Sequence, residues 1–280
     1  AAPPISPSIA IRAIASAWSL AKFARRVVLS SVLPNRADSG AKTLLFVGNT
    51  SFSMYNFRLG VMKRLASDGF RVVVAAPRDS YSELFETEGI IYEEIAMSRK
   101  GTNPFNELAT AFRLYRLYRR VRPSLAFNYT IKPIIYGSVA ASLAGVRHIA
   151  VTTGLGYAFV KENRYAFSAF AARLLYRFAL RFPIQVWFLN AEDREIFVKG
   201  GIVAEKKTRV IPGEGVDMDH FSPKKKTSTK TPSFLLVARI VADKGVRDFV
   251  AASRILKWKK IPCECRLLGA FDDYPNAITP

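Results

Sequence analysis

Two cations bracket the stretch Val237-Ala238-Arg239-Ile240-Val241-Ala242-Asp243-Lys244-Gly245. Arg239 leaves the end of a predicted strand, and Lys244 stands at the start of a predicted helix, whose dipole favours an anion. Two fixed positive charges and a helix N-terminus suit a diphosphate leaving group, because they stabilise charge that develops as a glycosyl–phosphate bond breaks. A surface ion-pair reading of the same residues stays open. Other loops behind predicted strands carry weaker signals. Gly48-Asn49-Thr50-Ser51 puts small residues and hydroxyls ahead of a helix, where a phosphate or a sugar can bind; a tight turn with a helix cap has the same composition. Lys132 precedes another helix start and either meets an anionic oxygen or stands in solvent. Gly154 and Gly156, followed by Tyr157, allow a ligand to approach the backbone closely or mark a strand-exit turn. Gly215 lies in Pro212-Gly213-Glu214-Gly215-Val216-Asp217, either a ligand loop at a sheet edge or a hinge turn.

Other chemistries lack their residues. The two histidines, His148 and His220, are far apart, and there is no HExxH, Cys/His cluster, GxSxG, Walker A or GxGxxG. His148 precedes an apolar strand and reads as structural. Asp272-Asp273 has no spaced third ligand, so no metal is expected. Cys263 and Cys265 sit at i and i+2 in a strand-like run; two cysteines build no disulfide framework, and they read as buried, reduced thiols that fit a cytoplasmic setting. The arginines 113, 116, 119, 120 and 122, interleaved with Tyr115 and Tyr118, form either a solvated helix face or a patch facing phosphate or membrane.

The elements that must position these residues alternate. Apolar runs of strand length occur at 44–47, 71–76, 90–95, 125–129, 149–152, 186–189, 208–211, 234–237 and 263–268. Helical segments fall between them at 54–68, 81–88, 106–121, 134–144, 165–182 and 245–257. In the first, Phe57, Val61 and Leu65 mark the expected inner face, with Gly69 as the C-terminal cap. Such alternation predicts an α/β fold with a doubly wound parallel sheet. PKKKTSTKTP within 222–232 reads as a linker. It would separate an N-terminal domain, 41–221, from a shorter unit, 233–280, whose single β-α-β has too little core to stand alone and is expected to be truncated.

The chain has 280 residues, half of them hydrophobic, and a formal net charge of +20. That composition excludes a disordered chain, a collagen and a coiled coil. The charge favours anionic partners: nucleic acid, anionic lipid or phosphorylated substrates. No apolar run is long enough to cross a membrane. Residues 1–40 hold five basic residues and one acid, with Ile11, Ile14, Trp18 and Ala21 at helical spacing. They are open to three readings: an organelle transit peptide, an interfacial helix on anionic lipid, or an extension with no role.

Several of these stretches taken together, SMYNFRLGVMKRLASDGFRV, SRKGTNPF, NYTIKPIIYGSVAASLAGV, TGLGYAF, IPGEGVDMDHFSP and ARIVADKGVRDFVAA, resemble the retaining nucleotide-sugar glycosyltransferases of family four. Their number, order and spacing carry the resemblance over residues 42–280. It implies the GT-B fold, here a complete N-terminal Rossmann-like domain and an incomplete second one. It also implies transfer of a sugar from a nucleotide-sugar, such as a UDP-sugar, to a polyprenyl-diphosphate-linked saccharide, at the inner face of the plasma membrane and without a metal. By the same resemblance Arg239 and Lys244 hold the donor diphosphate, with Gly48, Asn49 and Gly215 on the donor side. Lys132, Gly154, Gly156 and Tyr157 fall on the acceptor side. The chain departs from the family in carrying Thr130-Ile131-Lys132 where many members have a histidine. The family's paired glutamates, eight apart, would fall beyond Pro280, so this length is expected to bind donor poorly and to be inactive alone. Two other readings stand beside this one: a non-catalytic relative that docks on a membrane or partner, and a nucleic-acid binder, which lacks any helix-turn-helix or RNP-type motif.

Overall fold

The computed structural model describes residues 42–98, 103–155, 166–211, 213, 215–217, 220–222, 231–271 and 278. The expected N-terminal extension, most of the expected linker, Gly156, Tyr157 and Asp272-Asp273 lie outside these residues. The chain divides into two compact units at Phe221/Ser222.

The first unit holds a seven-stranded sheet, all parallel. Its strands are β1 (Thr43–Val47), β2 (Arg71–Ala76), β3 (Ile91–Glu94), β4 (Leu125–Tyr129), β5 (His148–Thr152), β6 (Gln185–Phe188) and β7 (Thr208–Val210). The helices between them are α1 (Ser51–Ser67), α2 (Leu84–Thr87), α3 (Pro104–Val121), α4 (Ser138–Leu143), α5 (Ala166–Ala179) and α6 (Ala191–Lys199). A π-helical turn, Pro133–Gly137, runs directly into α4. The spatial order is β3-β2-β1-β4-β5-β6-β7, so the progression reverses between β1 and β4. Ligands of open α/β sheets bind at such a switch point, beyond the carboxyl ends of the strands.

Strand periodicity sorts the core into two layers. Leu44, Phe46, Phe127, Ile149, Val151 and Trp187 face one side and pack with Met54, Met62 and Leu65 of α1 and with Phe85. Leu45, Val47, Val73 and Ala126 face the other, against Leu114, Leu117 and Tyr118 of α3 and Ala140 and Ala141 of α4. Ala150, Val186 and Phe188 extend that second side toward Tyr176 and Ala179 of α5 and Phe197 of α6. Burial on both faces explains why β1, β4 and β5 read as continuous apolar runs.

Helix starts differ from the sequence expectation because caps, not apolar residues, set them. Thr50 accepts a hydrogen bond from Ser53 N, so α1 begins three residues earlier than expected. Asn103 does the same for α3 through Phe105 N. The inner face of α1 is also corrected. Phe57 is exposed, and the buried series is Met54, Arg58, Met62 and Leu65. Arg58 holds a core position because its guanidinium stacks over the Tyr129 ring at 4.8 Å while Nη1 donates to the Ser53 carbonyl at 2.8 Å.

The second unit contains β8 (Ser233–Val237), a 3₁₀ turn (Ala242–Lys244), α7 (Val246–Trp258) and β9 (Glu264–Leu268), with β8 and β9 parallel. Cys263 and Cys265 are free and partly exposed, which corrects the expectation that they are buried.

Candidate functional site

The first unit brings three of the predicted loops to one edge. Gly48 and Asn49 follow β1, Lys132 follows β4 and Gly154 follows β5, and these strands are neighbours in the sheet. Gly48 is buried, and a Cβ there would lie 2.4 Å from Met54 Sδ, so the backbone passes close over α1. The start of α1 is already supplied with acceptors. Phe52 N donates to Asp79 Oδ2 at 2.8 Å, Ser53 N to Thr50 Oγ1 at 3.1 Å and Met54 N to the Thr50 carbonyl at 3.3 Å. Ser51 Oγ donates to the Pro77 carbonyl at 2.8 Å. The cap reading of this loop is therefore realised by the protein's own groups.

The loop after β4 turns sharply. Thr130 adopts φ 67°, unusual for a residue with a Cβ, and its carbonyl accepts from Ile134 N at 3.0 Å. Lys132 follows, and its ammonium meets the Glu107 carboxylate in the first turn of α3. Both side chains are largely buried, at 15% and 9% exposure. The anionic oxygen that Lys132 meets is thus the protein's own. Glu107 escaped the sequence reading because a single acid in an arginine-rich helix has the look of a surface residue. Tyr136 adjoins the pair: burial pushes its phenol up to about 12, and the Glu107 carboxylate adds to the rise. Beneath, Tyr118 Oη donates to Asn128 Oδ1 at 2.7 Å. Gly137 fits against them without room to spare, since a Cβ there would lie 3.0 Å from Tyr118 Oη and 3.2 Å from Asn128 Nδ2. Burial drives the Tyr118 phenol well above its ordinary range, so it serves as a neutral donor.

Gly154 takes φ 145°, a conformation that only glycine adopts readily. Gly215 takes φ 78° in a loop where His220 N donates to Asp217 Oδ1 at 3.0 Å. Beside the edge, at the ends of β2 and β3 and the start of α3, an open cavity of about 390 Å³ is lined by Arg78, Glu94, Ser98, Asn106, Thr110 and Arg113 among others. Its charges are partly matched: Arg78 Nε donates to Glu94 Oε2 at 2.9 Å and Arg113 Nη1 to the Ala96 carbonyl at 3.3 Å.

In the second unit Arg239 and Lys244 flank a short turn built on buried Ile240 and Val241, and both cations are exposed. Val241 N donates to the Arg239 carbonyl at 2.8 Å, and Lys244 N to the Val241 carbonyl at 3.2 Å. Gly245, φ 72°, then reverses the backbone into α7. The turn is held from behind by Gly269, where a Cβ would lie 1.7 Å from the Ala238 carbonyl oxygen. Both cations thus belong to one strand–turn–helix, with Lys244 two residues ahead of Val246, where the N-terminal dipole of the helix favours an anion. Among the described residues no group of three His, Cys, Asp or Glu side chains could hold a metal ion, and no helix is long and apolar enough to cross a membrane.

A sequence profile of the family described as "Glycosyl transferase 4-like" matches residues 43–188, which span β1 to β6 and all the helices between them. The N,N'-diacetylbacillosaminyl-diphospho-undecaprenol alpha-1,3-N-acetylgalactosaminyltransferase of Campylobacter jejuni is 27% identical over 251 residues, covering 84% of this chain and 65% of that protein. The UDP-Gal:alpha-D-GlcNAc-diphosphoundecaprenol alpha-1,3-galactosyltransferase of Escherichia coli is 31% identical over 121 residues, 42% of this chain and 30% of that one. Among solved structures, a glycosyltransferase from Rickettsia africae superimposes with a TM-score of 0.62 at 18% identity, over 85% of this chain and 62% of its own. That likeness is one of fold. The chain spans about two thirds or less of the length of each of these three.

Proposed function

The chain belongs to the glycosyl transferase 4-like family, and from that premise we propose that it transfers a sugar from a UDP-sugar to a polyprenyl-diphosphate-linked saccharide, with retention of anomeric configuration. The observation that carries this reading is the two exposed cations of the second unit, Arg239 and Lys244, on a strand–turn–helix of the kind that suits a departing diphosphate. The likeness to the Campylobacter protein, whose alignment is long enough to take in both units, supports the same reading, as does its lipid-linked acceptor. The donor class is supported by the UDP-galactose in the name of the Escherichia relative. The loops of the first unit, Gly48-Asn49, Lys132 and Gly154, meet at the switch point of the sheet, where a ligand of this fold would lie. In this proposal Gly48, Asn49 and Gly215 shape the donor side. Lys132 and the loop at Gly154 shape the acceptor side, Lys132 doing so while tethered to Glu107. Leaving-group charge is met by side-chain cations and a helix dipole, not by a metal. The enzyme works peripherally on the inner face of an anionic membrane.

Incubating the full-length protein with a UDP-sugar and an undecaprenyl-diphosphate-linked saccharide tests this. The expected product is heavier by one sugar residue, has the donor's anomeric configuration, and forms at the same rate with EDTA present. Failure to form it with any UDP-sugar would overturn the activity; loss of transfer in EDTA would overturn the metal-free mechanism.

A further inference from the structure

Helices α3 and α5 lie on one face of the sheet, on either side of the π-turn and α4. Leu114, Leu117 and Tyr118 pack inward with Ala140 and Ala141, and Tyr176 and Ala179 pack inward with Ile134 and Ile135. Their opposite faces are not polar. On α3 the outward positions Phe105, Leu108 and Phe112 form one stripe, and on α5 Phe170, Leu174 and Phe178 form another; these six side chains are between 50% and 83% exposed. Spacings of three and four residues align each stripe along its helix. A helix on the outside of a soluble domain ordinarily turns polar residues outward.

The charges on these faces have one sign. Arginines 116 and 119 of α3 and 173 and 177 of α5 are exposed beside the stripes, and Arg116 lies over the Phe112 ring at 6.0 Å; Arg113 and Arg120 turn toward β3 instead, where Arg113 Nη1 donates to the Ala96 carbonyl and Arg120 Nη2 to Glu93 Oε2 at 2.5 Å. The one acid in either helix, Glu107, is buried against Lys132. Both helices cross back from the C-terminal edge of a parallel sheet, so their N-terminal turns lie toward that edge. On α3 the arginines lie further along the helix than the apolar stripe, whereas on α5 Arg173 and Arg177 alternate with Phe170, Leu174 and Phe178. The apolar half of α3 and the start of the α5 stripe therefore flank the edge that carries Gly48, Lys132 and Gly154.

We propose that the outward faces of α3 and α5 form a docking surface for an anionic lipid bilayer, with the aromatic and leucine side chains entering the headgroup region and the arginines meeting lipid phosphates. Apolar residues on one face with arginines beside them are the chemistry of a helix that lies in the membrane interface. A second copy of the chain is a poorer occupant, because each copy has a net charge of +20 and presents the same arginines. The inference deepens the proposed action on a lipid-linked acceptor, since it places lipid beside the switch-point edge.

Co-sedimentation of the full chain with phosphatidylglycerol–phosphatidylcholine vesicles tests it. Phe105→Ser/Leu108→Ser/Phe112→Ser and Phe170→Ser/Leu174→Ser/Phe178→Ser should each lower the partition coefficient by about tenfold or more, with unchanged thermal midpoints because all six side chains are exposed. Neutral vesicles or about 0.5 M NaCl should weaken binding of the unaltered chain. A Leu174→Trp chain should show added fluorescence that brominated lipid quenches. Wild-type partitioning by the combined sixfold variant, or no quenching at Trp introduced there, would overturn the surface, whatever residues 1–40 contribute. So would light scattering showing that the stripes sustain a dimer and not vesicle binding. A chain that docks yet transfers no sugar would sink the proposed activity and leave this surface standing.

Discussion

His148 stands at the foot of β5, buried, with Nδ1 3.1 Å from the Val146 carbonyl and Nε2 without a hydrogen-bond partner among the described residues. Burial lowers its pKa to about 4. An unfolded imidazole takes its proton near pH 6.5. Between pH 6.5 and about 4 the unfolded state therefore binds more protons than the folded one, and stability falls as the pH falls through that window. The loss amounts to about 3 kcal/mol at its full extent. Urea titrations at pH 7 and pH 4.5 should show the decline, and His148→Gln should flatten it; an equal decline in the variant would assign the effect elsewhere. In the sequence His148 already reads as structural, because it precedes an apolar strand. Arg239 and Lys244 read as a pair because a strand end and a helix start are both legible in the pattern. Arg58 and Glu107 were not legible. Each occupies a core position through specific partners, the Tyr129 ring and the Ser53 carbonyl for the guanidinium and Lys132 for the carboxylate, and hydropathy alone records no partners.

At the scale of elements, the Glu107–Lys132 pair ties the first turn of α3 to the turn after β4. A buried ion pair is more costly to break than it is stabilising to make. Glu107→Ala removes the carboxylate from the largely buried lysine and should lower unfolding free energy by about 3–5 kcal/mol, whereas Glu107→Leu combined with Lys132→Met should recover most of that loss. Thermal denaturation of the three chains checks this; a single variant as stable as the parent would show that the pair does not bind α3 to the sheet edge. The alternation of strands and helices was readable because buried parallel strands are unbroken apolar runs. The π-turn at Pro133–Gly137 was not, since an apolar stretch records which residues are buried and not how many complete a turn. The phase of α1 was misread for a related reason: Phe57 is the more hydrophobic residue, yet Arg58 makes the stacking contact and takes the inward place. In the sequence the arginine run of α3 fits solvent and membrane alike, and the exposed phenylalanines beside it are visible only once the inward face is fixed by Leu114, Leu117 and Tyr118.

Over the whole molecule, a net charge of +20 is distributed in ways that composition cannot show. Part sits on the outward faces of α3 and α5, part is neutralised internally as at Lys132, and two cations crown the turn of the second unit. The division at Phe221/Ser222 separates the edge built by β1, β4 and β5 from that turn. The account depends on Arg239 and Lys244 meeting a diphosphate. Saturation-transfer NMR with UDP on this chain reads that contact directly. Two charge-assisted contacts of about 1.5–3 kcal/mol each predict that Arg239→Ala/Lys244→Ala weakens UDP binding at least tenfold, with the fold intact by circular dichroism. Transfer to UDP from the double variant as strong as from the unaltered chain would contradict it.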